Sequence, residues 1–355
     1  MKKEKYKVLG VMSGTSLDGI DCAVVEFTYR NNQWTYDFLQ GTTISYPGEW
    51  TEKLRTAITL SISDLHLLNI EYTCFLSELL NEFIIENQLT DLDFIASHGH
   101  TVLHQPEKGF TLQIGNLPIV ADMFSVPFVC DFRVQDVALG GQGAPLVPIG
   151  DRLLFADFDY CLNLGGFSNI SFEDENKRIA FDICPVNTLL NYFAQKEGFL
   201  FDDKGKIAQQ GKIDMALFDA LNTLEFYRQP APKSLGMEQV NEIYLPLIHR
   251  YTLSNYDILA TVTEHIAFQI AQVIKKKNAR LLVTGGGAFN TFLIERVKYY
   301  LPDTKVEVGS RELTDFKEAI IFAFLGVLRM ENINNVLSSV TGAKHDHCSG
   351  IVYGM

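Results

Sequence analysis

The sequence predicts an α/β protein of two domains with mixed sheets, and three observations carry that reading. The opening part places three strand-like apolar runs in succession, Tyr6–Met12, Asp21–Phe27 and Trp34–Thr43, before helix and strand begin to alternate. The order strand, glycine turn, strand then recurs at Tyr160–Leu164, Gly165–Gly166 and Ile170–Phe172. At 355 residues the chain is long enough to bury two separate cores.

The first two strands are joined by Gly10-Val-Met-Ser-Gly-Thr-Ser-Leu-Asp-Gly-Ile-Asp21. Gly14 and Gly19 can take positive φ there, and Ser13, Thr15 and Ser16 offer hydroxyls. Consecutive backbone N–H groups in such a turn form an anion-binding concavity. The segment lacks the Gly-Lys-Ser/Thr spacing of a P-loop. The bland alternative is an ordinary tight hairpin. A strand, phosphate turn and strand, repeated, suggests the actin-like architecture: two ribonuclease H-like domains with mixed sheets flanking an interdomain nucleotide cleft.

Helices are expected at Gly48–Leu60 and Asp64–Glu86, the second with an apolar stripe of Leu68, Tyr72, Phe75, Leu79 and Phe83. Phe94–Ser97, Thr111–Ile114 and Phe128–Cys130 read as short buried strands. The glycine-rich Gly140–Gly143 marks the expected crossing, giving domains of 1–139 and 140–335, with the tail from about 336 to 355 returning to the first. The second domain continues with a strand at Arg178–Asp182 and a helix at Asp257–Lys277, where Ile258, Val262, Ile266, Ile270 and Ile274 share a face. Leu313–Met330 is a further helix.

A net charge of −13 argues against a nucleic-acid or anionic-membrane partner. No apolar run is long enough to span a bilayer. The six cysteines show no Cys-x-x-Cys spacing and read as reduced core thiols, so a cytoplasmic protein is expected.

Leu281-Leu-Val-Thr-Gly-Gly-Gly-Ala-Phe-Asn290 is a buried strand, a triple-glycine turn and a helix start. Gly285, Gly286 and Gly287 would let a flat adenine ring reach the backbone without meeting a Cβ, and the alternative is a plain tight connection. Asp182 ends an apolar strand, a position that commonly borders the ligand crevice of an α/β sheet. Its alternative role is the N-cap of the helix that follows. His98, His100 and His104 are close in sequence but lack a carboxylate or cysteine at ligand spacing, so cleft lining is the better reading. His345, His347 and Cys348 read as a polar surface loop.

Further strings complete the pattern. These are Ser97-His-Gly-His-Thr101, Leu112-Gln-Ile-Gly115, Asp131-Phe-Arg133 with Asp136, Gly140-Gly-Gln-Gly-Ala-Pro-Leu146, Asn163-Leu-Gly-Gly166 and Phe181-Asp182 with Pro185 and Asn187. Asp203-Lys-Gly205 with Ala208 and Gly211, Pro232-Lys-Ser234, Glu318-Ala319 and Val340-Thr-Gly-Ala343 follow in order. Nearly end to end, the chain resembles the anhydro-N-acetylmuramic acid kinases, bacterial sugar kinases of the actin-like superfamily that act in peptidoglycan recycling. The resemblance implies ATP and Mg²⁺ as cofactors and a small sugar as substrate, and allows a homodimer. ATP contacts would come from Gly14, Thr15, Ser16, Leu17, Asp18, Gly19, Ile20 and Asp21 in the first turn. Gly165 and Gly166 in the second turn would add to them, with Gly285, Gly286, Gly287 and Asn290. Sugar contacts would come from His98, Thr101, Arg133, Asp136, Asn187 and Glu318, with an interdomain salt bridge as the other reading of Arg133 and Asp136. Asp182 would be the general base that takes a proton from water as it opens the 1,6-anhydro bridge, while the freed O6 accepts the γ-phosphoryl group. The chain departs from the family in Ile183-Cys-Pro-Val-Asn187, where the family has Thr-Gly-Pro-Gly-Asn, which implies a changed sugar pocket wall. A kinase for another sugar, or a nucleotide-gated binding protein of the actin or Hsp70 type, are the alternatives.

Overall fold

The structure, a computed structural model, describes residues 3–14, 17 and 19–354. It contains two compact units, one of Met1–Leu154 with Phe316–Met355 and one of Phe155–Asp315. In the first unit β1 (Lys5–Ser13), β2 (Ile20–Arg30) and β3 (Gln33–Ile44) form an antiparallel meander. Next, β4 (Phe94–Gln105) lies parallel to β1, and β6 (Phe128–Cys130) parallel to β4. The hairpin strand β5 (Phe110–Ile114) folds back on β4.

The second unit repeats the plan. Here β7 (Tyr160–Leu164), β8 (Phe167–Asp174) and β9 (Lys177–Pro185) form the meander, and β10 (Arg280–Thr284) then β11 (Lys305–Val308) add in parallel to β7. Both sheets therefore run third, second, first, fourth and one later parallel strand, which is the ribonuclease H-like order. The central strands read as unbroken apolar runs because helices cover both faces of sheets that contain parallel strands.

One face of the first sheet packs on the Ile62–Glu86 helix, started by Ser61, whose hydroxyl accepts the Asp64 N–H. The buried stripe is Leu68, Tyr72, Leu76, Leu80 and Phe83, so Phe75 and Leu79 of the expected stripe sit at its margin. The Arg311–Met330 helix packs close to β1, and a Cβ on Gly10 would lie 2.1 Å from the Ala319 carbonyl oxygen. Gly10→Val should therefore lower stability by at least about 2 kcal/mol, read as a reduced urea midpoint with an unchanged slope.

The unit boundaries differ from the sequence expectation. The chain leaves the first unit after Leu154, well beyond Gly140–Gly143, and returns at Phe316, earlier than 336. The Pro148–Leu154 helix belongs to the first unit because it contacts β3, and Gly150 lies so close to Ile321 that a Cβ would sit 2.8 Å from its side chain. At the sheet's far edge, β12 (Ile351–Tyr353) pairs antiparallel with β6. The second core surrounds the Asn255–Val273 helix, whose Ser254 cap moves its start ahead of the expected Asp257.

Candidate active site

Thr15, Ser16 and Asp18 of the first turn lie outside the described residues. Around them, Leu17 takes a left-handed conformation (φ 61°) and donates its N–H to the Gly14 carbonyl oxygen at 3.3 Å. Gly19 has no room for a Cβ, which would fall 2.6 Å from the Ile44 carbonyl oxygen. Ser13 is not an outward hydroxyl: it is buried, with its Oγ 2.6 Å from the Tyr46 hydroxyl and 2.8 Å from His100 Nδ1. Tyr46 continues this chain to Tyr72, so a buried hydroxyl network anchors the end of β1. Burial drives the His100 pKa down to about 4, leaving a neutral ring at physiological pH. The Ile20 side chain is wholly in the core, while Asp21 on β2 accepts the Thr43 hydroxyl at 2.5 Å.

In the second unit the tight Gly165–Gly166 turn is stitched to the start of the Asn187–Lys196 helix. The Gly166 carbonyl accepts N–H groups from Val186 and Thr188 at 2.8 and 3.2 Å, and Gly165 accepts that of Asn187 at 3.3 Å. Nearby, a cavity of about 420 Å³ is lined by Asn187, Leu190, Asn191, Phe201, Lys204, Gly286, Gly287, Phe289 and Asn290, among others. The lining glycines Gly286 and Gly287 and the adjacent Gly285 differ in kind. Gly285 has φ 81°, and a Cβ there or at Gly287 would strike Leu164 backbone atoms at 2.9 Å. A Cβ on Gly286 would meet only Asn187 Nδ2, at 3.9 Å. Gly285 and Gly287 are thus required by the fold, whereas Gly286 keeps cavity space open. The Asn290 side chain caps the Thr291–Tyr300 helix by accepting the Leu293 N–H, and Asn187 donates to the Leu164 carbonyl oxygen. Asn187, expected at the sugar, lines this cavity.

Asp182 lies inside β9, which continues to Pro185. Val186 holds the N-cap position of the next helix without a side-chain bond, so Asp182 does not cap it. A bulge opposite Ser168 sets the local register, locked because Ser168 Oγ accepts the Cys184 N–H and donates to its carbonyl oxygen. Asp182 N–H donates to the Lys233 carbonyl oxygen at 3.0 Å, and Asp182 Oδ2 accepts the Leu235 N–H at 2.8 Å. Burial raises the carboxyl's pKa, and the Leu235 bond only partly offsets this. A half-buried carboxylate with one oxygen tethered and an upward-shifted pKa suits proton abstraction. The Ile183, Cys184 and Val186 side chains are buried in the second core, so what this stretch changes directly is packing.

In the first unit, Arg133 and Glu318 stand together. Arg133 Nε donates to His98 Nε2 at 2.7 Å, Nη1 donates to the Gly143 carbonyl oxygen, and the guanidinium lies 6.0 Å from the Phe322 ring centroid. Desolvation draws the Arg133 pKa down to about 10, against the opposing pull of Glu318 and Asp136; it stays charged at neutral pH. Glu318 keeps an exposed surface, yet desolvation raises its pKa, with Arg133 opposing and Asp21 reinforcing the rise. His98 is buried and both its ring nitrogens are engaged, Nδ1 with the Gly99 carbonyl oxygen, so it orients Arg133 and does not face a substrate. Asp136 is fully buried, bonded to Gly143 N–H and the Thr341 hydroxyl; it is neither a sugar contact nor an interdomain bridge. Thr101 remains partly exposed, receiving a bond from Gln113 Nε2. His347, expected on the surface, is buried 3.6 Å from Asp136 Oδ1. No group of three or more potential ligand side chains is placed to hold a metal among the described residues.

Phe201 and Phe289 line the cavity although no motif in the sequence singles them out. Their available signals were the exposed run Phe199-Leu200-Phe201 and the aromatic residue directly after the glycines.

Two sheets of ribonuclease H-like order, each in its own unit, make the fold class actin-like, and the second unit carries a cavity beside Gly286 and a desolvated carboxylate on its third strand. The anhydro-N-acetylmuramic acid kinase family model matches residues 6–355. The relative named anhydro-N-acetylmuramic acid kinase from Saccharophagus degradans is 35% identical, with 97% of this chain and 98% of that one covered. Those of the same name from Mannheimia succiniciproducens and Haemophilus influenzae are 36% and 33% identical, each over 99% of this chain and at least 98% of its own. The chain belongs to the anhydro-N-acetylmuramic acid kinase family, and it is a kinase.

Proposed function

We propose that the protein opens the 1,6-anhydro ring of 1,6-anhydro-N-acetylmuramic acid with water and phosphorylates O6 with ATP. The products are N-acetylmuramic acid 6-phosphate and ADP, in peptidoglycan recycling and amino-sugar catabolism. The observation that carries this reading is Asp182, a desolvated carboxylate held at one oxygen by the Leu235 N–H.

Asp182 takes a proton from water while the water oxygen bonds to C1. The C1–O6 bond breaks, and O6 receives the γ-phosphoryl group as the ADP oxygen departs. The phosphoryl group thus neutralises a leaving oxygen that a glycosidase would protonate. Gly14–Asp21 and Gly165–Gly166 serve the phosphates, and Phe201, Phe289 and Gly286 serve the base. Arg133 grips the lactyl carboxylate of the sugar in a charge-assisted pair, with Glu318 and Thr101 at its hydroxyls. Mg²⁺ fits the hard oxygen of Asp21, whose charge already raises the Glu318 pKa, and when bound it would neutralise charge on the phosphates. We place the protein in the cytoplasm, where ATP is available; among the described residues no helix is long and apolar enough to cross a membrane.

Reaction in ¹⁸O-labelled water tests the chemistry. The label should enter the C1 hydroxyl of the product at the rate of turnover, above a no-enzyme exchange control, and none should enter the phosphoryl group. Phosphorylation without enzyme-dependent label at C1 would leave a plain hydroxyl kinase in its place.

A further inference from the structure

The buried Asp136 is the most demanding polar group outside the reacting centre. A carboxylate with no solvent exposure is retained only where donors take up its oxygens. Here Oδ2 accepts the Gly143 N–H at 2.7 Å, Oδ1 accepts the Thr341 hydroxyl at 2.7 Å, and His347 Nε2 stands 3.6 Å from Oδ1. The loop between them is fastened twice more, by Gln142 N–H to the Thr341 carbonyl oxygen at 2.8 Å and Lys344 N–H to that of Leu139 at 3.2 Å. Gly141 packs so tightly on the carboxylate that a Cβ would lie 2.2 Å from Oδ2.

This clamp ends on the guanidinium. Gly143 offers its N–H to Asp136 and, across its own Cα, its carbonyl oxygen to Arg133 Nη1; these groups lie in successive peptide planes joined at a left-handed φ of 69°, so anchoring the N–H narrows where the carbonyl oxygen can stand. His98 supplies the second acceptor at Arg133 Nε. Two of five donors are thereby spent on orientation, and among the described residues no protein acceptor takes the Nη2 hydrogens.

We infer that Thr341 and Asp136 are positioning residues for Arg133, so that the segment Thr341–His347 sets affinity for the carboxylate of the sugar. This rests on the reading of Arg133 under Proposed function. Neither residue touches the reacting atoms; both act through Gly143, whose N–H and carbonyl oxygen flank one Cα.

The test is a double-mutant cycle on the full chain, with steady-state kinetics in the anhydro sugar at saturating ATP. Thr341→Val keeps the volume and removes the donor; it should raise KM about tenfold with kcat within about twofold, because a bond to a charged group is lost remote from the chemistry. Thr341→Ser should restore the wild-type KM. In an Arg133→Ala background Thr341→Val should add nothing to KM, because the group it aims is gone. Multiplicative effects in that background, a kcat loss in place of the KM change, or failure of the serine variant would each overturn the inference while leaving Arg133 at the sugar. An unchanged KM in Arg133→Ala alone would overturn the Arg133 reading and this inference with it. Should Thr341→Val fail to fold, Asp136→Asn takes its place in the same cycle, with the same KM signature expected and additivity again overturning it.

Discussion

Replacing Asp182 with Asn should lower turnover by about 10² to 10⁴-fold while nucleotide affinity stays within about twofold. The substitution preserves shape and can still accept the Leu235 N–H through its carbonyl oxygen, so β9 and its bulge should persist. What it removes is the capacity to take a proton from water. Asp182 must be ionised to act, and burial raises its pKa. Activity should therefore fall as pH drops through a value above the ordinary aspartate range, and the wild-type acid limb of kcat should lie there. That limb should vanish from the residual activity of the variant. Near-normal turnover in the variant, measured by coupled ADP release, would remove Asp182 from the mechanism.

Gly286→Val should abolish useful nucleotide affinity, by about two orders of magnitude, without lowering the melting temperature. The added carbons enter the cavity of about 420 Å³, because among the described residues only Asn187 Nδ2 comes within 4 Å of a Cβ. Gly285→Val is the informative contrast. It combines a left-handed backbone with a contact of 2.9 Å to Leu164, so it should unfold the second unit along with losing nucleotide. Calorimetry on both variants, with melting curves alongside, separates the two effects. Unchanged ATP binding in a folded Gly286→Val protein would move the base elsewhere.

The difference between these glycines shows where sequence reasoning reaches and where it stops. The strands were legible because the central runs around Val8–Val11 and Leu281–Val283 are apolar on both faces, a pattern that needs no knowledge of neighbours. Unit boundaries were not, since the place of the Pro148–Leu154 helix depends on close approach to Ile321, far away in sequence. Asp182 stood out as a lone carboxylate at the end of an apolar strand. His98 and Asp136 stand in similar apolar surroundings, yet their polar atoms turn inward to Arg133, Gly143 and Thr341. Nothing in local composition distinguishes a carboxylate that keeps some exposure, as Asp182 does, from one wholly enclosed by its donors, as Asp136 is. Ser13 misled for the same reason, its hydroxyl being spent on Tyr46 and His100. The inward packing of the Ile183–Val186 stretch was not legible either, since the sheet and not the local sequence turns those side chains to the core.

The return of the chain to its first sheet bears on how the protein is made. Residues 155–315 form an uninterrupted unit, and every strand of its sheet has been synthesised by Val308. The first sheet, begun at Lys5, lacks β12 until Tyr353 has been added, and its Arg311–Met330 helix is also a late arrival. Domains that are contiguous in sequence fold as units during synthesis, commonly from the N-terminus onward. Here that order is reversed: the unit that starts second is ready first. Meanwhile β6, and the surface of β1 meant for the late helix, wait uncovered, which makes the nascent N-terminal part the client a chaperone would meet.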